Sequence, residues 1–369
     1  MQKKSPKSAT TPRHANDGID DFSQVNFITV GEYQDGQRID NFLLSILKGL
    51  PRSHLYKLIR DGQIRLNKKR CKPHERLSVG DVLRVAPVRL GVRDKPVISD
   101  AFARGLLDRV VFEDDGLMVL NKVHGLAVHG GSGESFGVIE AIRVATGKKY
   151  LELVHRIDKD TSGLLLIAKK RSILKDLQEQ FRDKTIKKDY LCVVHGTLKS
   201  GQTIDKPLLK YTLANGERRV KVDVMGKSSQ TVIEVLANFD LGGMAVSLIK
   251  ASPKTGRTHQ IRVHMASMGH ALLGDDKYQS DEQATLATQK GIKRLCLHAW
   301  RLTLADGKRF EARLSDDMVD LLKGAGVDKC QNAWSYLLRL CDWQNLGKSG
   351  FVIWSINTCV KPNMVYILG

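Results

Sequence analysis

An unbroken apolar run, Gly163-Leu164-Leu165-Leu166-Ile167-Ala168, stands directly behind the polar cluster His155-Arg156-Ile157-Asp158-Lys159-Asp160-Thr161-Ser162. A run of that kind reads as a buried strand, so whatever precedes it is a loop held by a rigid element. Catalytic groups tend to occupy such loops. A carboxylate beside an arginine, as Asp158 is beside Arg156, can stay ionised even when partly desolvated, and an ionised carboxylate can act as a nucleophile. The alternative is that Asp158 only closes a turn through hydrogen bonds from its side chain.

Charge narrows the partner. The 369 residues carry a net charge of +19, which favours a polyanion, either nucleic acid or an anionic membrane surface. Residues 1–99 hold 19 Lys and Arg against 10 Asp and Glu, nearly half of the excess in about a quarter of the chain. That concentration argues for a dedicated basic module at the N-terminal end. No apolar run reaches the roughly 18 residues needed to span a bilayer. The basic start, Met1 to Lys7, is followed by no apolar segment and so is not expected to be a secretory signal. The six cysteines form no C-x-x-C pair and no Cys/His ligand spacing, which suits free thiols in the cytoplasm.

Residues 1–24 are polar and rich in Lys, Ser, Thr and Pro, and are expected to be disordered. A short strand follows at Phe27–Val30. Ile39, Phe42, Leu43 and Ile46 fall on one face of a helix. Ser53 is positioned to cap a second helix with Leu55, Leu58 and Ile59 inward, and Gly62 to stop it. Ile64 to Arg70 reads as a strand entering a basic hairpin, and Gly80-Asp81 as the turn before a strand at Val82–Val85. Arg52, Lys57, Arg60, Arg65, Lys68, Lys69 and Arg70 then form one cationic surface, the alternative being an ordinary solvated face. The stretch 36–86 resembles the S4 RNA-binding domain through Arg38-Ile39-Asp40, Ile59-Arg60-Asp61-Gly62, Arg65-Leu66-Asn67 and Gly80-Asp81. With the linker, the expected module spans 36–97.

The larger domain is expected over 105–325, after a linker at 87–105. Leu117–Lys122 reads as a strand leading into a Gly- and His-rich loop, His124 to Gly133. Ser172 is placed to cap a helix reaching Arg182, with Leu174, Leu177 and Phe181 inward. Tyr190–Val194 reads as another buried strand, and alternating strands occupy about 230–250. The fold class expected is α+β, a large mixed and mainly antiparallel sheet with flanking helices.

Three further segments carry chemistry. Lys188-Asp189-Tyr190 puts a phenol at the start of a strand, able to stack on a nucleobase or simply to pack. Thr255-Gly256-Arg257-Thr258-His259-Gln260-Ile261-Arg262-Val263-His264 gathers two arginines and two histidines. In it, Arg262 suits a carboxylate and Arg257 a phosphate. Gly274-Asp275-Asp276-Lys277-Tyr278 follows.

Taken with Glu113-Asp114-Asp115, Asn121-Lys122 and Val128-His129-Gly130-Gly131, these motifs resemble in order and content the RluA-type pseudouridine synthases, over about residues 24–325. The resemblance implies isomerisation of uridine to pseudouridine in 23S rRNA, without cofactor or metal, by a cytoplasmic monomer that needs no membrane. It further implies Asp158 as nucleophile, Tyr190 stacked on the target base, and Arg262 paired with Asp158. Arg156 and Arg257 would hold RNA near the flipped nucleotide. Val123 stands where the family usually has Pro, and Ile157 where it usually has Leu. The resemblance ends near Lys329. The tail 330–369 holds three of the four tryptophans and has no clear period or assignable role.

Rival readings exist. Ser172-Ile173-Leu174-Lys175 with Lys254-Thr255-Gly256 matches fragments of penicillin-recognising enzymes, but no Ser-Asp-Asn lies between them. Asp114, Asp115, Asp275 and Asp276 could serve a metal-dependent nuclease, although acidic pairs next to glycine more often close turns. A catalytically silent ribosome-assembly protein is the non-enzyme alternative.

Overall fold

The structure, a computed structural model, describes residues 13–14, 21–47, 49–90, 97–131, 134–148 and 150–324. Of the expected disordered start, all but 13–14 and 21–24 lies outside these residues, as does the whole Trp-rich tail. Contacts divide the chain into two units, the first built mainly from residues up to Val97 and the second beginning at Ile98.

The first unit contains β1 (Arg13–His14), β2 (Asn26–Thr29), α1 (Ile39–Ile46), α2 (Arg52–Arg60), β3 (Ile64–Leu66), β4 (Lys69–Arg70) and β5 (Val82–Val85). Its sheet runs β1-β2-β5-β3-β4. Ile39, Phe42 and Leu43 of α1 and Leu55, Leu58 and Ile59 of α2 are buried together, with Ile46 partly buried beside them. Each such side chain contributes about 1.5–3 kcal/mol. Ser53 does not cap α2: Pro51 stands at the N-cap and the helix starts at Arg52. Proline at that boundary supplies a fixed φ and has no N–H to leave unpaired. Gly62 ends the helix at φ +70°, as its position suggests. The β3–β4 turn places Asn67 and Lys68 at φ +46° and +67°, the geometry of a tight two-residue hairpin.

The second unit opens with α3 (Asp100–Leu107), a helix that starts inside the stretch 87–105 expected to be linker and runs past its end. Ser99 caps it by accepting from the Phe102 amide, and Ala103 and Leu106 face inward. Then come β6 (Val110–Glu113), β7 (Leu117–Lys122), α4 (Val138–Thr146), β8 (Glu152–Leu153), β9 (Ser162–Ala168), α5 (Arg171–Arg182) and β10 (Lys187–His195). Next are β11 (Gln202–Asp205), β12 (Leu208–Thr212), β13 (Arg218–Val222), β14 (Gln230–Asp240), β15 (Ala245–Pro253), α6 (Gln260–Ala266), α7 (Asp281–Gln289), β16 (Leu297–Thr303), β17 (Arg309–Glu311) and α8 (Asp316–Gly324). Helix α5 begins at Arg171, so Ser172 sits inside its first turn rather than at the cap.

The large sheet follows the order β11-β14-β15-β10-β16-β9-β7-β6, with β17 on β16 and β8 on β9. It is mixed and mainly antiparallel as expected; only β16 and β9 pair in parallel. Every residue of β9 is buried, because helices cover both faces. Leu165 and Ile167 pack with Ile139 and Ile142 of α4. Leu164, Leu166 and Ala168 pack with Leu174 and Leu177 of α5. Two covered faces are what an apolar run without alternation requires.

Candidate active site

Residues 155–161 cross the end of β9 and are tied down from several sides. The Val154 amide donates to Leu166 O (3.0 Å), and the Leu166 amide donates to His155 Nε2 (3.1 Å). His155 also stacks on Phe181, with centroids 4.8 Å apart. Burial and the nearby Lys188 pull its pKa down to about 4, so the ring is a neutral acceptor fastening the loop. From below, the buried Lys122 ammonium donates to Val123 O, Leu126 O and Lys159 O at 2.7–2.8 Å. Burial, reinforced by Arg294, lowers its pKa to about 7 against the opposing charges of Asp160 and Asp158. Three acceptors at that range match the three N–H groups of the protonated amine, the form that prevails below that value.

Gly163 explains the Thr-Ser-Gly sequence. Its φ is +106°, and a Cβ there would lie 2.2 Å from Ala299 O on β16. Only glycine lets β9 approach β16 in the parallel register His298↔Ser162 and Ala299↔Gly163.

Asp158 closes a turn, but with its backbone: the Thr161 amide donates to Asp158 O (3.1 Å). Its carboxylate accepts no hydrogen bond among the described residues and faces a cleft of about 310 Å³. Asx-type closure by the side chain therefore does not account for this residue. The cleft is also lined by Arg156, Gln178, Phe181, Lys188, Tyr190, Thr255, Arg257, His259 and Arg262. Tyr190 enters beside a bulge that leaves Trp300 of β16 as the extra residue, and Lys188 lies on the same face two residues earlier. Burial first, and the charge of Asp158 second, raise the Tyr190 pKa, which keeps the phenol neutral.

Arg262 is paired otherwise than expected. Its guanidinium forms a bidentate pair with fully buried Asp275 (2.6 and 2.7 Å) and a further bond to Asp276 (2.9 Å), not one with Asp158. Burial alone would lower its pKa. Asp275, with Asp158 and Asp276, outweighs this and raises it overall. Arg262 thus acts on Asp158 through space, while its planar fork is taken by Asp275. The Lys277 and Tyr278 amides also donate to Asp275 (2.9 and 3.1 Å), which fixes that carboxylate in turn.

His259 is the neighbour that sequence reading left without a role. Its Nε2 lies 3.8 Å from Asp158 Oδ2, and its Nδ1 lies 2.7 Å from the Tyr278 hydroxyl. The Tyr278 ring also sits against Arg262, 5.2 Å from the guanidinium carbon. The second histidine of the segment, His264, is fully buried elsewhere, against Ser229, Thr231 and Lys206 O. Gln260 fastens the segment to β14: it accepts from Thr255 Oγ1 and the Arg257 amide and donates to Gln230 O and Thr231 Oγ1. Arg156 and Arg257 are exposed at the cleft and have no carboxylate partner among the described residues. The acidic pairs of the nuclease reading are separately engaged. Asp275 and Asp276 bind Arg262, and Asp114 accepts from the Gly116 and Leu117 amides at 2.8 Å.

In the first unit, the seven basic residues are exposed and in no ion pair among the described residues. Arg65 and Arg70 pair across the hairpin beside Gly62: Arg65 Nε donates to Gly62 O (3.2 Å). Lys57 and Arg60 belong to the last turn of α2 just before that glycine, and Lys68 and Lys69 to the hairpin. Arg52 stands apart at the far end of α2, about 12 Å along its axis at 1.5 Å per residue.

Comparison with known proteins adds a second line. A family model described as RNA pseudouridylate synthase matches residues 116–267, and an S4 domain model matches 37–83. The ribosomal large subunit pseudouridine synthase C of Pasteurella multocida (strain Pm70) is 45% identical over 317 residues, 84% of this chain and 96% of the relative. The protein of the same name from Haemophilus influenzae is 46% identical over 310 residues, 82% of this chain and 95% of the relative. The solved structure of human RNA Pseudouridylate Synthase Domain Containing 4 matches with a TM-score of 0.51 and 24% identity, over 62% of this chain and 96% of that one. That last likeness is one of fold.

Proposed function

Because the chain belongs to the RNA pseudouridylate synthase family, we propose that it converts uridine to pseudouridine in 23S ribosomal RNA, with Asp158 as nucleophile. As an RNA pseudouridine synthase it is an isomerase. The observation that carries the residue assignment is the Asp158 carboxylate, which accepts no hydrogen bond among the described residues and faces a cleft of nucleoside size between a neutral phenol and a buried guanidinium.

A base inside a helix is out of reach, so the uridine leaves its stack to enter the cleft. Tyr190 stacks on the uracil and holds it over Asp158. The Asp158 carboxylate attacks C1′ as the bond from C1′ to N1 breaks, and it leaves C1′ again when the uracil rejoins. Arg262 balances the carboxylate without covering it. The uracil then turns and rejoins through C5, the C5 proton is lost and N1 gains one, so composition is conserved. Arg156 and Arg257, which have no carboxylate partner among the described residues, hold phosphates next to the extruded nucleotide.

The basic cluster around Gly62 serves as a largely sequence-independent phosphate contact, within an S4 module and linker spanning 36–97. The catalytic domain takes in α3 and so begins near residue 98 rather than at the expected 105, and the enzyme works in the cytoplasm as a monomer. No helix among the described residues is long and apolar enough to cross a membrane. Mapping pseudouridines in 23S rRNA from cells with and without the gene tests the substrate. At least one site is expected to vanish on deletion and return with the wild-type gene. An unchanged map sinks the assignment and favours a catalytically silent assembly factor.

A further inference from the structure

We propose that His259 is a positioning residue whose neutral Nε2–H holds one oxygen of Asp158 and leaves the other free to attack the sugar. This rests on Asp158 being the nucleophile. The Tyr278 hydroxyl accepts the Val220 amide (3.1 Å) and so has its own proton available for His259 Nδ1, 2.7 Å away. With Nδ1 accepting, the ring proton lies on Nε2, the nitrogen that faces Asp158 Oδ2. The side chain is 13% exposed and Asp158's 26%, so the pair is only partly shielded from water before substrate enters.

The 3.8 Å separation is longer than a hydrogen bond. Catalytic contacts of this kind tighten when substrate expels water. Arg262 cannot supply the same orientation, since its fork is held by Asp275. Burial, with Arg262 and Lys277, lowers the His259 pKa against the pull of Asp158 and Asp275, so the ring donates without adding charge.

The backbone supplies a second observation. His259 has φ +52° and ψ +23°, the left-handed region, which few residues with a β-carbon adopt, Asn, Asp and His most readily. That uncommon conformation falls on the residue at the start of α6 that faces Asp158.

Two variants separate the roles. His259→Asn suits the left-handed backbone and restores a polar group toward Tyr278, but is too short to reach Asp158. His259→Gln strains the backbone more, but places an N–H where Nε2 stood. In the full chain, single-turnover pseudouridine formation on a 23S transcript is expected to fall 10- to 100-fold in the Asn variant, the worth of one hydrogen bond to a charged group. The Gln variant is expected to stay within about tenfold of wild type. RNA affinity should be unchanged in both, and the Asn variant should melt at the higher temperature. A rate for Asn equal to or above that for Gln overturns the proposal. So does a rate loss matched by lost RNA affinity. Tyr278→Phe, which removes the proton that sets the tautomer, is expected to slow the same step, and an unchanged rate counts against the proposal. Product formation by Asp158→Asn overturns the nucleophile reading itself, so the two failures are distinguishable.

Discussion

Substituting Gly163 by alanine tests whether the close approach of β9 to β16 sets the geometry of the Asp158 loop. The added Cβ meets Ala299 O at 2.2 Å and Ala299 C and N at 2.7 Å. An ordinary contact needs about 1 Å more, so the strands must part by about that much or the backbone must twist. A φ of +106° adds strain of about 1–3 kcal/mol for a residue with a side chain. Weakening the two-residue parallel pairing adds about 0.5–1.5 kcal/mol per hydrogen bond. The expected cost is therefore about 2–5 kcal/mol. Gly216→Ala is the control: its φ is +82° but nothing lies within 4 Å of the added carbon, so it should cost only the strain, about 1–2 kcal/mol. Urea unfolding of both variants measures the difference as a shift in midpoint at constant m. Because a 1 Å displacement of a catalytic group costs about 100-fold in rate, Gly163→Ala should also lose activity and Gly216→Ala should not. Equal unfolding costs for the two variants, or full activity in Gly163→Ala, refute the idea that this contact positions the loop.

Arg262→Met leaves the fully buried Asp275 carboxylate without its cation and is expected to destabilise by about 3–5 kcal/mol. Adding Asp275→Leu should recover much of that in urea titrations but none of the activity; recovered activity contradicts the electrostatic role of Arg262. Lys122 has a pKa of about 7 in the folded chain against 10.5 when exposed, so the unfolded chain binds more protons between those values. Its contribution to stability therefore rises with pH across that window, by up to about 1.4 kcal/mol per unit, and Lys122→Met should lack the slope. Parallel stability–pH curves for the two proteins count against it. Replacing Lys69 and Arg70 together by alanine should lower the slope of log affinity against log salt by about one per lost phosphate contact, with the bound-state rate intact. An unchanged slope removes these two residues from the RNA surface.

What could be read from the chain was whatever depends on local pattern. The apolar run to Ala168 needed both faces covered, and α4 and α5 cover them. The spacing of Ile39, Phe42 and Leu43 gave the buried face of α1. Helix starts were read less well: Ser53 and Ser172 are good capping residues, but α2 starts at Arg52 behind Pro51 and α5 starts at Arg171, because hydroxyl groups are only one way to start a turn. Helix α3 went unrecognised since Pro96 and the surrounding charges suggested a linker.

In the site, motif matching picked out Asp158, Tyr190 and Arg262, and all three line one cleft. Their partners were not legible. That Asp275 rather than Asp158 takes the Arg262 fork depends on where the chain returns after α6. His259 and His264 are five residues apart with the same side chain, yet one faces Asp158 and the other is sealed against Thr231. No spacing rule separates them, because the difference comes from a left-handed residue at the start of a short helix.

The most direct test of the account is the Asp158→Asn enzyme on a 23S rRNA transcript, followed for binding and for pseudouridine formed in a single turnover. The substitution keeps size and polarity but removes the charge on a group that makes no hydrogen bond among the described residues, so folding should be unaffected. The account predicts RNA affinity near that of wild type and no product. Pseudouridine forming at a rate comparable to wild type contradicts it.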